Sequence, residues 1–218
     1  MSTITLHHVP ESRSMRVLWL LHELGLDFDI RVWPFDQTLR SAQYLALSPA
    51  GRVPALEIDG ARYFESGAMI ELLCELYPAP GLGRAPGDQE RADWLTWIHF
   101  AETISQHAAA LTQQHIVLRE DAMRSPVVMK IEAARIGKCF DALDTRLEGR
   151  DFLLASGFSA ADVAVGQAVY MARRFKRPDY HPELCAWIAR LEARPAFANC
   201  LPEAGEGLYG QEFYEAWT

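Results

Sequence analysis

The sequence predicts an α/β domain followed by an all-helical domain. Strand-like and helical patterns of apolar residues alternate along residues 4–77. A segment rich in proline and glycine follows at residues 78–83, and after it strand signals almost vanish. We therefore expect an α/β domain over residues 1–79 and a helical domain over residues 88–218.

The chain begins with a strand, an amphipathic helix and a second strand. Residues 4–9 form a short strand-like run, and Gly25 stands where a glycine commonly ends a helix. Between them, the apolar face of a helix is formed by Val17, Leu18, Leu20, Leu21 and Leu24. Three apolar residues then alternate with charged ones and predict a half-buried strand: Phe28, Ile30 and Val32. Residues 38–47 are weakly helical.

A hairpin and another helix complete the first domain. Residues 53–58 and 61–64 are strand-like and are separated by Asp59-Gly60. Asp-Gly is a strong signal for a two-residue hairpin turn, because both turn positions need positive φ. Residues 66–77 have helical spacing and end at a proline. A βαβ unit followed by a hairpin and a helix is a compact α/β arrangement.

The second half predicts long helices. The helical segments lie near residues 88–118, 126–147, 159–175 and 181–192, and a short one follows Pro195. The third of them begins with Ser159-Ala160-Ala161-Asp162, which has the form of a capping box and indicates a structural role. We expect Asp162→Ala to destabilise the fold by about 1 kcal/mol or somewhat more.

Charge and composition exclude several classes of partner. Lysine and arginine number 21 and aspartate and glutamate 29, for a net charge of −8. No basic stripe follows from this balance, so nucleic acid is not an expected partner. No apolar run approaches the ~18 residues of a membrane span, and the amino terminus lacks the pattern of a secretory signal. We expect a cytoplasmic protein with no membrane partner. The four widely spaced cysteines do not form a zinc pattern.

Two serines, Ser12 and Ser14, lie where the first strand gives way to the first helix. One interpretation is a helix N-cap, in which a side-chain oxygen accepts a backbone N–H. The other is chemical: a hydroxyl beside the free amides of a helix start can donate a hydrogen bond to a bound thiolate. The spacing alone favours the cap.

The two ends of the predicted hairpin also carry candidates. If the Val53–Pro54 bond is cis, Val53 turns its N–H and C=O outward, and an extended peptide ligand can pair with them. Glu65 and Ser66 join the hairpin to the next helix. Two interpretations fit them equally well. In one, Glu65 is a solvated charge and Ser66 a helix cap; in the other, the pair binds both charged groups of an amino-acid terminus.

The histidines do not predict a metal site. His99, His107 and His115 recur every eight residues on one predicted helix and therefore spread around it. His7 and His8 are neighbours on a strand, so their rings point to opposite faces.

Taken together, these segments resemble the cytosolic glutathione S-transferase family over essentially the whole chain. The segments that carry the resemblance are SRSMRVLWLLHELGL (12–26), SPAGRVPALEIDG (48–60), FESGAMIELLCELYP (64–78), FSAADVAVG (158–166) and LEARPAFANC (191–200). The opening SRS…RVLWLL and WIHFAE (97–102) are most similar to a serine-type branch found in bacteria and fungi.

The resemblance implies a thioredoxin-like first domain that binds glutathione and a helical second domain that shapes the pocket for a small electrophile. Val53 and Pro54 match the family's cis-proline site, where Val53 pairs its backbone with the cysteinyl part of glutathione. Glu65 and Ser66 match the pair that holds the γ-glutamyl carboxylate and amine. Arg52 stands where a basic residue meets the glycine carboxylate.

In serine-type members a serine near the first helix donates a hydrogen bond to the thiolate. Many members place it five residues before the arginine that corresponds to Arg16, where this chain has Glu11. A carboxylate beside a thiolate would raise the thiol pKa, opposite to what catalysis needs. Ser12, where the SRS branch keeps its serine, is therefore the expected catalytic residue, and Ser14 is the alternative. The loop has no tyrosine or cysteine to take this role.

The resemblance thus implies a glutathione transferase and a homodimer, with glutathione as co-substrate and no metal or redox cofactor. Helix position gives four candidates for the wall of the electrophile pocket: Phe100, Thr103, Gln106 and His107. Three alternatives stay open at this point. They are a glutathione-dependent peroxidase, a non-catalytic glutathione-binding or protein-interaction module, and a cofactor-free isomerase or dehalogenase.

Overall fold

The computed structural model describes residues 2–203 and 205–215. Its first part alternates strands and helices, as the sequence predicts. In chain order these are β1 (Ile4–His8), α1 (Met15–Glu23), β2 (Asp29–Val32), α2 (Ala42–Leu45), β3 (Ala55–Ile58), β4 (Ala61–Phe64) and α3 (Ser66–Leu76). A short 3-10 helix, Gln37–Arg40, precedes α2.

The four strands form one mixed sheet in the order β2-β1-β3-β4. β1 is parallel to β2, and β3 is antiparallel to both of its neighbours. The turn between β3 and β4 is the predicted one, with positive φ at both Asp59 (50°) and Gly60 (83°). This thioredoxin-like arrangement confirms the α/β part of the predicted fold class.

The predicted half-burial of the second strand is wrong. β2 pairs only with β1 and therefore forms an edge of the sheet. Ile30 is 43% exposed and Val32 is 64% exposed. Alternating apolar residues identify a strand, but they do not reveal whether an element covers its apolar face, because that depends on distant parts of the chain.

The second part is helical, as predicted. Its helices are α4 (Arg91–Thr112), α5 (Pro126–Leu147), α6 (Ala160–Ala172) and α7 (Pro182–Glu192), and the short α8 (Pro195–Ala198) follows. A π-helical turn, Gln113–Val117, extends α4. Nearly every residue of α6 is buried, so this helix runs through the core of the helical part. Across the described ranges, no helix has the length and apolar character needed to cross a membrane.

The chain divides into two compact units at points that differ from the expected boundaries of 1–79 and 88–218. One unit runs to Arg91 and also includes Arg194–Leu208, and the other consists of Ala92–Ala193 and the residues from Tyr209 onward. The returning segment belongs to the first unit because Arg194 forms a two-pronged ion pair with Glu23 of α1, both distances being 2.7 Å. Beside it, the ring of Phe197 lies edge-on to Trp19, with centroids 5.0 Å apart.

The predicted capping box at α6 is present and is fully buried. Asp162 accepts hydrogen bonds from the Ser159 N–H at 2.9 Å and the Leu153 N–H at 2.9 Å. The indole Nε1–H of Trp187 adds a third at 3.0 Å. Burial raises the pKa of the Asp162 carboxyl, and these hydrogen bonds act in the opposite direction. The carboxylate therefore ties the start of α6 to α7 and to the preceding loop.

Replacing Asp162 with alanine should lower the free energy of unfolding by at least about 2 kcal/mol, because several buried donors lose the carboxylate that accepts their hydrogen bonds. Urea unfolding measures this change. Asp151→Ala is the matched control, since the Asp151 side chain is 81% exposed and lies 3.7 Å from Arg190, and its loss should cost less than about 1 kcal/mol. Equal losses in the two variants would show that the buried network contributes nothing beyond a surface charge.

Candidate active site

The sheet register brings the predicted segments of the first unit together at one end of the strands. His7 of β1 lies opposite Ala55 of β3, and Ala55 lies opposite Phe64 of β4. The loop after β1, the segment before β3 and the start of α3 after β4 therefore all meet at the same end of the sheet. Ser12, Val53-Pro54 and Glu65-Ser66, which are far apart in sequence, belong to these three segments.

The loop between β1 and α1 holds both predicted serines, and both are buried. Ser14 directly precedes α1, but its side chain does not cap the helix. The Ser12 Oγ instead accepts the backbone N–H of Ser14 at 3.2 Å. Of the two serines, Ser12 rather than Ser14 is therefore the one whose side chain accepts a backbone N–H next to the helix start.

A short chain of hydrogen-bonding groups runs through this loop. The Ser12 Oγ lies 2.8 Å from the Ser14 Oγ and donates to the Val9 carbonyl at 2.7 Å. The Ser14 Oγ in turn lies 2.8 Å from Nδ1 of His8. The sequence analysis places His8 on one face of the first strand but does not pair it with the serines, because no local sequence pattern indicates that contact.

The electrostatics of the loop follow from its burial. Burial lowers the pKa of His8 to about 4, so its ring is neutral at physiological pH. Glu11 is also buried and has a positive φ of 51°. Its carboxylate lies so close to Gly207 that a Cβ at that glycine would be 2.5 Å from Oε2. The returning segment of the chain thus packs against the residue immediately before Ser12.

At the start of α3, Glu65 and Ser66 have different surroundings. Glu65 is exposed and has a φ of 74°. Ser66 is buried, and its Oγ accepts a hydrogen bond of 3.0 Å from Nη1 of Arg16. Arg16 is itself completely buried in α1. One buried hydrogen bond therefore connects α1 to the start of α3, and sequence reasoning did not identify Arg16 as its donor.

The segment before β3 presents backbone groups. The Val53–Pro54 peptide bond is cis. Among the described residues, the hydrogen bonds of turns and loops involve neither the N–H nor the C=O of Val53. Arg52 is exposed, and its carbonyl accepts a hydrogen bond of 3.0 Å from the Tyr44 hydroxyl. This hydrogen bond fixes the backbone just before the cis peptide.

The helical unit contains a cavity of about 720 Å³ between α4 and α5. All four of the residues expected to form a pocket wall line it, together with Ala110, Glu132, Arg135, Lys138, Cys139 and Ala142. His107 Nδ1 lies 2.6 Å from Oε2 of Glu132, whose Oε1 accepts from Arg135 at 2.7 Å. The cavity therefore combines an aromatic side chain with a charged network on one wall.

Two family models match the chain. The one described as "Glutathione S-transferase, N-terminal domain" matches residues 6–81. The one described as "Glutathione S-transferase, C-terminal domain" matches residues 110–195. These ranges cover the end of β1, the other three strands, the three candidate segments of the first unit and the capping box of α6.

Named relatives agree with these matches. The chain is 31% identical over 214 residues to Glutathione S-transferase 3 of Zea mays, covering 90% of this chain and 92% of that protein. It is 26% identical over 207 residues to Glutathione S-transferase 3 of Schizosaccharomyces pombe, covering 88% and 84%. The crystal structure of glutathione transferase F7 from Populus trichocarpa superposes with a TM-score of 0.80 at 25% identity, covering 90% and 97%.

Proposed function

The chain belongs to the glutathione S-transferase family, and we propose that Ser12 is the residue that activates its bound glutathione. The protein is a glutathione transferase. Its relatives do not favour the peroxidase, isomerase, dehalogenase or non-catalytic alternatives. The observation that carries the role of Ser12 is its placement, since it lies at the end of the sheet where the cis-proline segment and the start of α3 also lie.

In the proposed step, the Ser12 hydroxyl donates a hydrogen bond to the sulfur of glutathione. This bond favours the thiolate over the thiol and lowers the pKa of the thiol. The thiol proton is released to solvent, and the thiolate attacks the electrophilic carbon; with a halogenated aromatic substrate the C–S bond forms as the carbon–halogen bond breaks and halide leaves. The Ser12 hydrogen is directed at the Val9 carbonyl at 2.7 Å in the unliganded chain, so binding exchanges that acceptor for the sulfur.

The remaining contacts to glutathione are proposed at the same end of the sheet. Val53 pairs its N–H and C=O with the cysteinyl part of the tripeptide, next to Pro54. Glu65 binds the γ-glutamyl amine. The γ-glutamyl carboxylate is bound by Ser66 together with the backbone N–H groups at the start of α3. The positive charge of the buried Arg16, 3.0 Å from the Ser66 Oγ, supports an anion there. Arg52, exposed, binds the glycine carboxylate.

The electrophile is proposed to occupy the cavity between α4 and α5. Phe100 offers an apolar surface and His107 a polar one, so the cavity suits a small hydrophobic molecule with one polar group. Thr103 and Gln106 complete the wall that helix position predicted. Glutathione is the co-substrate, and the proposed reaction needs no metal or redox cofactor.

The assembly is proposed to be a cytoplasmic homodimer. Three apolar residues of α5 are exposed in the isolated chain: Val127, Val128 and Ile131. A second copy of the chain would cover such a face, as twofold association of identical subunits commonly does. No contact with nucleic acid or membrane is proposed.

Ser12→Ala should lower kcat for conjugation of a halogenated aromatic substrate by about a hundredfold, because one donor to the developing charge is lost. The dissociation constant for glutathione should stay within about twofold, since the hydrogen bond acts mainly on reactivity. Steady-state kinetics and calorimetry measure the two quantities, and Ser156→Ala, an exposed serine, is the control. An unchanged kcat would transfer the role to Ser14 or to backbone amides.

Glu65→Ala should weaken glutathione binding by about tenfold, because a charge-assisted hydrogen bond to the amine disappears. Calorimetric titration with glutathione checks this expectation. Glu75→Ala is the matched control, since Glu75 is exposed on α3, directly before which Glu65 lies, and is not assigned to the site. A dissociation constant equal to that of the wild type would refute the role of Glu65.

Thr103→Trp should raise KM for the electrophile by about tenfold, because the larger side chain fills the cavity. KM for glutathione should not change. Thr96→Trp is the control, since Thr96 is also an exposed threonine of α4 but does not line the cavity. If both variants keep the KM of the wild type, the electrophile binds elsewhere.

A further inference from the structure

The Ser14 hydroxyl has four close polar neighbours but can form only three hydrogen bonds. Its Oγ lies 3.1 Å from the Val9 nitrogen, 3.1 Å from the Val9 carbonyl oxygen, 2.8 Å from His8 Nδ1 and 2.8 Å from Ser12 Oγ. A hydroxyl donates once and accepts twice. The Val9 N–H can only donate, so it occupies one of the two acceptor positions. His8 and Ser12 therefore compete for the remaining acceptor position and for the single Ser14 hydrogen.

Because the buried His8 ring is neutral, it carries one ring hydrogen. If that hydrogen is on Nε2, Nδ1 accepts the single hydrogen of Ser14. Ser12 then has one hydrogen for two acceptors. If it donates to Ser14, the Val9 carbonyl loses its 2.7 Å hydrogen bond. If it donates to the Val9 carbonyl, the two hydroxyl oxygens lie 2.8 Å apart with no hydrogen between them. Either choice leaves one close contact without a hydrogen bond.

If the hydrogen is on Nδ1, Ser14 forms hydrogen bonds with His8, Ser12 and the Val9 N–H together, and the Val9 carbonyl, 3.1 Å from the Ser14 Oγ, keeps its 2.7 Å hydrogen bond from Ser12. Nδ1–H donates to Ser14, and Ser14 accepts it along with the Val9 N–H. Ser14 then donates to Ser12. The Ser12 oxygen now accepts from the Ser14 hydroxyl at 2.8 Å and from the Ser14 N–H at 3.2 Å. Both of its acceptor positions are filled, so Ser12 can interact with a further group only by donating its own hydrogen.

We propose that His8 is a positioning residue of the transferase: its Nδ1–H, acting through Ser14, directs the Ser12 hydroxyl hydrogen to the glutathione sulfur. The proposal rests on the assignment of Ser12 as the activating residue. A thiolate at the end of such a chain polarises each donor behind it, so the hydrogen bonds between these buried groups strengthen one another. No proton leaves His8, and its contribution is the direction of the chain.

The direct test uses the wild-type enzyme. Heteronuclear NMR of the ring nitrogens distinguishes a protonated Nδ1 from a protonated Nε2 in the complex with S-methylglutathione and in the complex with glutathione. We expect the hydrogen on Nδ1 of His8 when the glutathione thiolate is bound. A hydrogen on Nε2 in that complex would overturn the proposal.

Two substitutions at His8 test the same chain functionally. His8→Leu removes the donor, and His8→Asn keeps a side-chain N–H near the position of Nδ1. The readout is the pKa of the bound glutathione thiol, followed as ultraviolet absorbance of the thiolate against pH. His8→Leu should lower kcat by about threefold to tenfold and raise this pKa in parallel, and His8→Asn should restore most of both. Loss without any rescue by His8→Asn would indicate a merely structural role.

A double-mutant cycle separates this proposal from the role of Ser12. In the Ser12→Ala background, His8→Leu should cause no further change in the thiol pKa, because the chain no longer reaches the sulfur. If Ser12→Ala itself leaves the thiol pKa unchanged, the proposed role of Ser12 fails. If Ser12→Ala raises the pKa and His8→Leu does not, only the role of His8 fails. Full additivity would show that His8 acts without Ser12.

Ser14→Ala provides a second way to break the chain if His8→Leu does not fold. It should raise the thiol pKa as His8→Leu does, and Ser14→Thr, which keeps the hydroxyl, should not. Circular dichroism and thermal unfolding establish that each variant is folded. A folded Ser14→Ala enzyme with the thiol pKa of the wild type would refute the proposed path.

Discussion

Polar side chains at the turn between β1 and α1 are buried, and the site depends on how their hydrogen bonds are satisfied. His8, Ser12, Ser14 and Arg16 are all buried at one end of the sheet. A buried polar group without a partner costs free energy comparable to a lost hydrogen bond. The loop therefore has very few acceptable arrangements of its hydrogens, and those arrangements also decide which way the Ser12 hydroxyl points.

The precision of this turn comes from α1, which is packed on several sides. Its apolar residues are almost completely buried, and Arg16 connects it to the start of α3. The returning segment holds it from a further direction through Arg194 and Phe197. A helix held in this way cannot shift without breaking contacts to distant parts of the chain. The last part of the first unit thus stabilises a site formed near its beginning.

Local signals in the sequence predict much of the fold but not its long-range contacts. Asp59-Gly60 predicts its turn because the backbone of two residues decides it, and the Ser159–Asp162 box is equally local. The exposure of Val32 depends on the order of the strands in the sheet. The hydrogen bond between Arg16 and Ser66 joins residues 50 positions apart in the sequence. The candidate segments were found from sequence because their resemblance to a family carries this distant information. His8 was missed because its partner lies across a loop.

Two buried networks among the described residues differ in how many of their donor hydrogens can move. Asp162 accepts one hydrogen bond from the Ser159 hydroxyl at 3.2 Å, but its three shorter hydrogen bonds come from backbone N–H groups and the indole of Trp187, which cannot turn their hydrogens to another acceptor. Such a network stabilises one structure. At the β1–α1 turn the connecting groups are hydroxyls, whose hydrogens rotate while the oxygens stay in place. A new acceptor at Ser12 can therefore redirect that hydrogen without moving the backbone. Fixed donors suit folding, and rotatable ones suit a site that must respond to a ligand.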